Sequence, residues 1–395
     1  MTELSINLIS SNLTILKTNK IWLSSPHLSG SEQKYVQAAF DSNWIAPLGP
    51  NVDGFELDLT NYINEPIFVS ALSSATAAIH LGLLLLGVSK NDEVLVQTHT
   101  HNASVNPILY QSATPVFIDS EMKTWNICPI ALELAINDRI QKGKKPKAII
   151  TVHLYGMPYQ IEVIRAIAAK YEIPILEDSA EALGSSYKGQ KCGTFGDIGV
   201  LSFNGNKIIT TSGGGAIVTK TAAQKEKAIF YATQARDAAP HYQHSEIGYN
   251  YRMSNICAGI GRGQMEVLDQ HVSLRRKMHD FYVDLFKDLP GVTVFSAPST
   301  DYFSNYWLSA ILIDPVITKG ITRETLRLAL EAENIESRPL WKPMHLQPVF
   351  EKYPYYGNKV AETLFENGLC LPSGSNLTDE DRERIAAVIG SVFVV

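Results

Sequence analysis

The sequence predicts an α/β fold, with a large domain on a mostly parallel mixed sheet and a smaller α+β domain at the C-terminus. Three observations predict it. From residue 67 to about 220, short β-branched runs alternate with segments of helical period, the pattern of a parallel sheet covered by helices. At 395 residues the chain exceeds one hydrophobic core, since single cores seldom grow past roughly 250 to 300 residues. After about residue 270 the alternation gives way to a long amphipathic segment and scattered strands. The expected division is an N-terminal extension (1–20), a large domain (21–268) and a small domain (269–395).

In chain order, the strands of the large domain are "IFVSAL", "EVLVQT", "PVFID", "KAIITVHL", "IPILED", "GVLSF" and "GAIVT". Between them, "TAAIHLGLLLLGV" (76–88) is apolar almost all round and reads as a buried helix, and "QIEVIRAIAAKYE" (160–172) as a second. In the small domain "SLRRKMHDFYVDLFKDL" reads as a long amphipathic helix. It is followed by strands "VTVFSA" and "YWLSAILID" and by helices near 322–334 and 379–391. The last has a capping signature, Thr378 with Asp381 three residues on.

Composition excludes several classes of function. With 45% hydrophobic and 19% charged residues and a net charge of −6, the chain is expected to fold as a soluble protein that does not bind nucleic acid. The densest basic run, "KGKKPK" at 142–147, reads as a solvated loop between a helix and a strand. Four scattered cysteines suit a reducing cytoplasm. The longest apolar runs are too short to span a bilayer, and the N-terminus lacks the pattern of a signal peptide. A cytoplasmic protein without a membrane partner is expected.

In wound sheets of this kind the chemistry gathers at the carboxyl ends of the strands. There "SALSSATAAIH" passes from strand to helix through Ser73 and Ser74, leaving the Ala75 and Thr76 amides to face an anion or simply to be capped by serine. "IPILED" ends a buried strand in Glu177 and Asp178, and a carboxylate there is costly unless paired or open to a cleft. "QTHTHNASVNP" offers His99 and His101, between which spacing does not choose. They lack a third ligand for a metal, and no metal site is expected. "GIGRGQ" (259–264) imitates a dinucleotide fingerprint, but it follows a helix and lacks the third glycine, so its glycines read as close helix packing. "LSFNGNKIITTSGGG" places Lys207 in a turn after a strand, at the same sheet edge as Asp178, Ser73 and His101.

An anion site at a helix start, a buried carboxylate, a flat ring and a lysine together suit pyridoxal phosphate. That cofactor needs a phosphate cradle, an acid for its ring nitrogen, a stacking group and an amine to bond its aldehyde carbon.

The segments "ALSSATAAIHL", "HLYGMP", "LEDSAEALGSSY", "GTFGDIGVLSFNGNKIITTSGGGAIV" and "EIGYNYRMSNI" resemble, in that order, the DegT/StrS family of pyridoxal phosphate-dependent nucleotide-sugar aminotransferases. The resemblance runs from about Trp22 to the C-terminus and implies the fold type I architecture of aspartate aminotransferase. It implies that Lys207 bonds the cofactor, that Asp178 pairs with its pyridine nitrogen and that His101 stacks on its ring. Ser202 and the Ala75 and Thr76 amides would hold the phosphate. Glu181 stands where many members carry Gln or His near the cofactor. Asn250 matches an asparagine that reaches the neighbouring subunit's cofactor, which implies a homodimer with shared active sites. Two positions depart from the common pattern, Ala75 for glycine and His101 for Phe or Trp. Some members replace the lysine by histidine and dehydrate; Lys207 argues for transamination.

"SNWIAPLGPNVDGFE" and "ESRPLWKPMHLQPVF" resemble the branch that aminates C4 of UDP-linked 4-keto-6-deoxy-N-acetylhexosamines. Arg338, Trp341, Lys342 and His345 are candidate nucleotide-sugar contacts, a basic and aromatic set suited to a diphosphate and rings; the alternative is a domain-packing segment. The expected activity is amino transfer from glutamate to such a sugar, for surface polysaccharide or glycan biosynthesis. A 3-keto sugar or keto-inositol acceptor, and a non-catalytic pyridoxal phosphate-binding protein, are the alternatives.

Overall fold

A computed structural model describes residues 19–393. Residues 1–18, most of the expected N-terminal extension, lie outside the described residues. All seven predicted strands form, and they share one eight-stranded sheet. Across the sheet the order is Phe68–Leu72, Gly215–Thr219, Ile198–Ser202, Ile175–Asp178, Ala148–Val152, Glu93–Gln97, Thr114–Ile118 and Tyr355–Tyr356. Gly215–Thr219 runs antiparallel to both its neighbours, and the other pairings are parallel. The reversal has a local cause. A parallel return needs a crossover, usually a helix, whereas residues 203–214 form only a turn and a glycine-rich loop.

The eighth strand was not expected. Two residues are too few to show alternation, yet Tyr355 and Tyr356 pair with Phe117 and Ile118, so chain from beyond residue 270 completes the edge of the large sheet.

The helix Ala75–Leu85 is buried on nearly every side, as its composition requires, and packs with Val94, Val96, Ile150 and Leu176 in one core layer. Helices Pro129–Gln141 and Ile161–Tyr171 cover the same strands with Leu132, Ile136 and Ile164. The "GIGRGQ" run lies inside the helix Asn255–Met265. A β-carbon on Gly263 would meet the backbone nitrogen of Glu32 at 2.6 Å, and one on Gly259 the Asn51 amide at 2.8 Å. Those glycines therefore serve helix packing and not a dinucleotide. The basic run 142–147 is a loop between the helix Pro129–Gln141 and the strand Ala148–Val152.

Beyond residue 268 a four-stranded antiparallel sheet, in the order Val292–Val294, Ser309–Ile313, Gly368–Leu371 and Arg338–Pro339, packs with helices Leu268–Phe286, Arg323–Ala332 and Asp379–Phe393. The first of these helices begins at Leu268 rather than Ser273, because Leu268, His271 and Val272 extend its buried stripe. The predicted cap forms, with the Asp381 amide donating to Thr378 Oγ1 at 3.2 Å and the Thr378 amide to Asp381 Oδ2 at 3.0 Å. The first described segment joins this unit, since Ile21 bridges to Ile335 and the Leu23 amide donates to Glu336. Among the described residues no helix is long and apolar enough to cross a membrane.

Candidate active site

Ser73, just past the strand Phe68–Leu72, and the strand ends Asp178 and Ser202 open on one cleft of about 640 Å³, which Trp22, Leu23, Trp307, Glu336 and Arg338 also line. It brings together Ala75, Thr76, His101, Asp178, Glu181, Ser202, Lys207, Arg338 and Trp341. Three expected site residues lie elsewhere. Asn250 is exposed and bridges to Thr233. Lys342 borders a smaller cavity of about 260 Å³ beyond His101 and Trp341. His345 is taken up by packing: its Nδ1 lies 2.7 Å from Thr98 Oγ1, its Nε2 3.3 Å from Glu362, and its ring stacks on Tyr355. With both nitrogens so engaged, it is not offered to a ligand in this arrangement.

The helix Ala75–Leu85 starts at the cleft because Ser74 caps it, accepting the Ala77 amide at 3.0 Å. The amides of Ala75 and Thr76 precede the first carbonyl that a helix turn could offer them. The strand opening at Gly215 passes directly beneath this helix start. A β-carbon on Gly215 would collide with the Ala75 nitrogen and the Ser74 carbonyl carbon, so only glycine lets strand and helix end approach so closely.

Glu177 and Asp178 are adjacent in one strand and point to opposite faces, as the period of two requires. Asp178 faces the cleft. Its Oδ2 accepts from Ser104 at 2.6 Å and its Oδ1 from the Ala180 amide at 3.1 Å. Glu177 faces away, fully buried. It accepts from His153 Nε2 at 2.6 Å and from the Gly193, Phe195 and Gly196 amides at 2.6 to 2.8 Å. Burial pushes its carboxyl up, but the His153 contact and these amides outweigh it and hold it below the usual carboxylate range. Of the two carboxylates in "LED", one serves the cleft and the other fastens a loop.

Lys207 extends into the cleft, where its Nζ lies 3.1 Å from Glu181 Oε1 and 4.0 Å from the centre of the Trp307 ring. The other Glu181 oxygen accepts the Tyr155 amide at 2.8 Å. Burial pushes the Glu181 carboxyl up to about 7, against the opposing pull of Lys207 and the Tyr155 amide. A folded value above the ordinary 4.5 means that the folded chain holds this proton to higher pH than the unfolded chain does. The contribution of Glu181 to stability therefore falls as pH rises from about 4.5 to about 7. Glu181→Gln is expected to flatten that part of the curve. Thermal melting of the cofactor-free protein across this range checks it, and an unaltered slope would contradict the assignment.

The structure separates the two histidines that spacing could not. His99 is fully buried with neither ring nitrogen partnered among the described residues, and burial pushes its pKa down to about 3. His101 presents its ring to the cleft, 5.6 Å from Trp341, and its Nδ1 accepts the Ala103 amide at 3.2 Å. Burial, and then the Lys207 charge, lower its pKa, so near neutral pH it is a neutral ring with its proton on Nε2. Among the described residues no group of three or more His, Cys, Asp or Glu side chains is placed to hold a metal ion.

These residues fit pyridoxal phosphate by their donor set. The cleft offers an amine, a carboxylate held by a hydroxyl, a neutral flat ring, and a capped helix start beside the Ser202 hydroxyl. Ser104, Trp307, Ser24 and Glu336 also line it and were not singled out in the sequence. Ser104 stood inside the quoted "QTHTHNASVNP" and a hydroxyl near a strand end was its only signal. The others come from segments whose place at the cleft depends on long-range packing.

Residues 26–390 match the sequence model of the DegT/DnrJ/EryC1/StrS aminotransferase family. EpsN of Bacillus subtilis strain 168, provisionally named a pyridoxal phosphate-dependent aminotransferase, is 48% identical over 95% of this chain and 96% of its own. GDP-perosamine synthase of Escherichia coli O157:H7 is 40% identical over 90% of this chain and 93% of its own. Among solved structures, PseC of Helicobacter pylori, an aminotransferase of pseudoaminic acid biosynthesis, superposes with a TM-score of 0.85 at 25% identity, covering 95% of this chain and 99% of that one. The pyridoxal phosphate form of Spr1654 of Streptococcus pneumoniae, provisionally named a sugar aminotransferase, gives 0.86 at 26% identity, with coverage of 95% and 99%.

Proposed function

Because the chain belongs to the DegT/DnrJ/EryC1/StrS aminotransferase family, whose fold is type I and whose cofactor is pyridoxal phosphate, we propose that it aminates C4 of a nucleotide-linked 4-keto-6-deoxy sugar, with glutamate as donor. The favoured acceptor is a UDP-4-keto-6-deoxy-N-acetylhexosamine, and the amino sugar would serve surface polysaccharide or glycan assembly. The observation that carries this reading is the meeting of Lys207, Asp178, Ser202 and the Ser74-capped helix start in one cleft walled by Trp22, Trp307 and Trp341. Flat apolar rings suit a sugar or a base, and Arg338 at the same wall suits a diphosphate.

Bound pyridoxal phosphate accepts an amino group from one substrate and delivers it to another, drawing electrons from the carbon that exchanges a proton. In this reading the Ala75 and Thr76 amides and Ser202 hold the phosphate. Asp178, kept in place by Ser104 and the Ala180 amide, keeps a proton on the ring nitrogen. His101 would present a flat ring to the cofactor. Lys207 Nζ would supply the amine that bonds it and the base that carries a proton, while Glu181, 3.1 Å away, would orient that amine. The active unit in this reading is a homodimer, with Asn250, which does not line its own cleft, reaching the cofactor phosphate of a second copy.

Enzyme first converted to its aminated form with glutamate and then offered a panel of nucleotide ketosugars and a keto-inositol tests this. The panel includes GDP-linked sugars, since a 40% identical relative is named for a GDP-linked product. Return of the visible cofactor absorbance with a 4-keto-6-deoxy sugar, and detection of the 4-amino product by mass, are expected. Exclusive reaction with a 3-keto sugar or keto-inositol would replace the acceptor. A spectrum that glutamate leaves unchanged would point to binding without turnover.

A further inference from the structure

Arg275, on the helix Leu268–Phe286, is only 1% exposed, yet among the described residues no carboxylate pairs with it. Burying an uncompensated charge is costly, and a well-packed apolar side chain of similar volume is often the more stable filling. The guanidinium donates instead to oxygens on four separate segments. Nη1 reaches the Trp307 carbonyl at 2.7 Å and the Ser373 carbonyl at 3.2 Å, while Nη2 reaches Ser24 Oγ at 2.9 Å and the Lys207 carbonyl at 3.5 Å. Among the described residues its Nε has no partner.

Two of those segments turn back onto the residue before the lysine. The Asn206 carbonyl accepts from Ser24 Oγ at 2.7 Å and from Trp307 Nε1 at 2.6 Å. Arg275, Ser24, Asn206 and Trp307 thus form a closed ring of contacts, and Lys207 leaves this ring with its Nζ resting over the Trp307 indole. A planar fork with several donors can hold such divergent acceptors at once, whereas a lysine ammonium on a flexible stem cannot reproduce the arrangement.

We propose that Arg275 is a positioning residue for Lys207, fixing the place of its amine in the cleft through Ser24, Trp307 and the Asn206–Lys207 backbone. The proposal rests on Lys207 being the lysine that bonds the cofactor. A displacement of about 1 Å at a reacting group can cost on the order of a hundredfold in rate, so loss of the guanidinium lowers turnover more than binding.

Arg275→Met and Arg275→Lys in the cofactor-loaded enzyme test it, read by amide hydrogen exchange, melting temperature, and kcat and KM for the amino donor. In Arg275→Met, faster exchange confined to peptides covering 22–25, 204–209, 305–309 and 371–375 is expected, with kcat down about 10- to 100-fold and KM within about threefold. Arg275→Lys should recover only part of kcat. A melting temperature that falls while kcat and local exchange stay at the wild-type level overturns the proposal, leaving Arg275 a packing element. Should Arg275→Met fail to fold, Ser24→Ala decides, because it breaks the ring at two contacts without stranding a charge. Wild-type exchange at 204–209 together with wild-type kcat in that variant also overturns it. Borohydride reduction followed by peptide mapping separates the two failures: label on a lysine other than Lys207 overturns the underlying reading, whereas label on Lys207 with wild-type kcat and exchange in the variants overturns only the positioning role.

Discussion

Lys207→Ala is expected to abolish amino transfer, lowering turnover by about four orders of magnitude or more, the upper end of what a positioned proton-transferring group contributes. The lysine has two tasks in the proposed reaction, and alanine can do neither. The protein should still fold. Lys207 is one member of a partly exposed turn, and without its charge the buried Glu181 carboxyl, already pushed up by burial, takes up a proton instead of being left charged and unpaired. It should also still take up cofactor through the helix start and Ser202, but without the visible absorbance of a lysine-bound aldehyde. The informative measurement is single-turnover amino transfer alongside that spectrum. Wild-type turnover in the variant would remove Lys207 from the chemistry, and circular dichroism in the same experiment checks that the variant is folded.

The second large effect comes from the neighbouring carboxylates, which should fail in different ways. Asp178→Ala removes the carboxylate that faces the cleft, and turnover is expected to fall about 10²- to 10³-fold, the range for losing one preorganised electrostatic partner. Glu177→Ala instead strands His153 and three backbone amides in a buried place. It is expected to destabilise the fold by about 3 to 5 kcal/mol, as for a buried pair that loses one partner. Denaturant unfolding and turnover measured on both variants separate the two roles. If Asp178→Ala lost more stability than Glu177→Ala, the assignment of faces along this strand would be wrong in its consequences.

The strands were legible because apolar, β-branched runs bounded by turn residues need no distant information to be recognised. The edge strand Tyr355–Tyr356 was not, since its partner Phe117–Ile118 lies far away in sequence and two residues carry no period. In the site, the residues at strand ends were legible for a topological reason: parallel strands deliver their carboxyl ends to one edge. Choosing His101 over His99 required the family resemblance, and the structure gives the physical reason in the burial of His99. Spacing alone also left Glu177 and Asp178 unresolved, although the period of two already implied that only one could face a cleft. Arg338 and His345 looked alike as cationic candidates, and what separates them is the engagement of His345 by Thr98, Glu362 and Tyr355. Arg275 was invisible because an arginine in an amphipathic helix reads as solvated until packing shows otherwise.

Part of the cleft lining is assembled from the two far parts of the polypeptide. Ile21 pairs with Ile335, the Leu23 amide donates to Glu336, and the Leu23 carbonyl accepts the Ser373 amide at 2.8 Å. His27 and Ser25 meet Ser375 and Asn376. During synthesis seven of the eight strands and Lys207 therefore emerge before residues 335–376, which supply both the edge strand Tyr355–Tyr356 and part of the lining of the cleft. A nascent chain stalled before residue 335 would therefore carry Lys207 on a cleft that still lacks Glu336 and Arg338 from its lining.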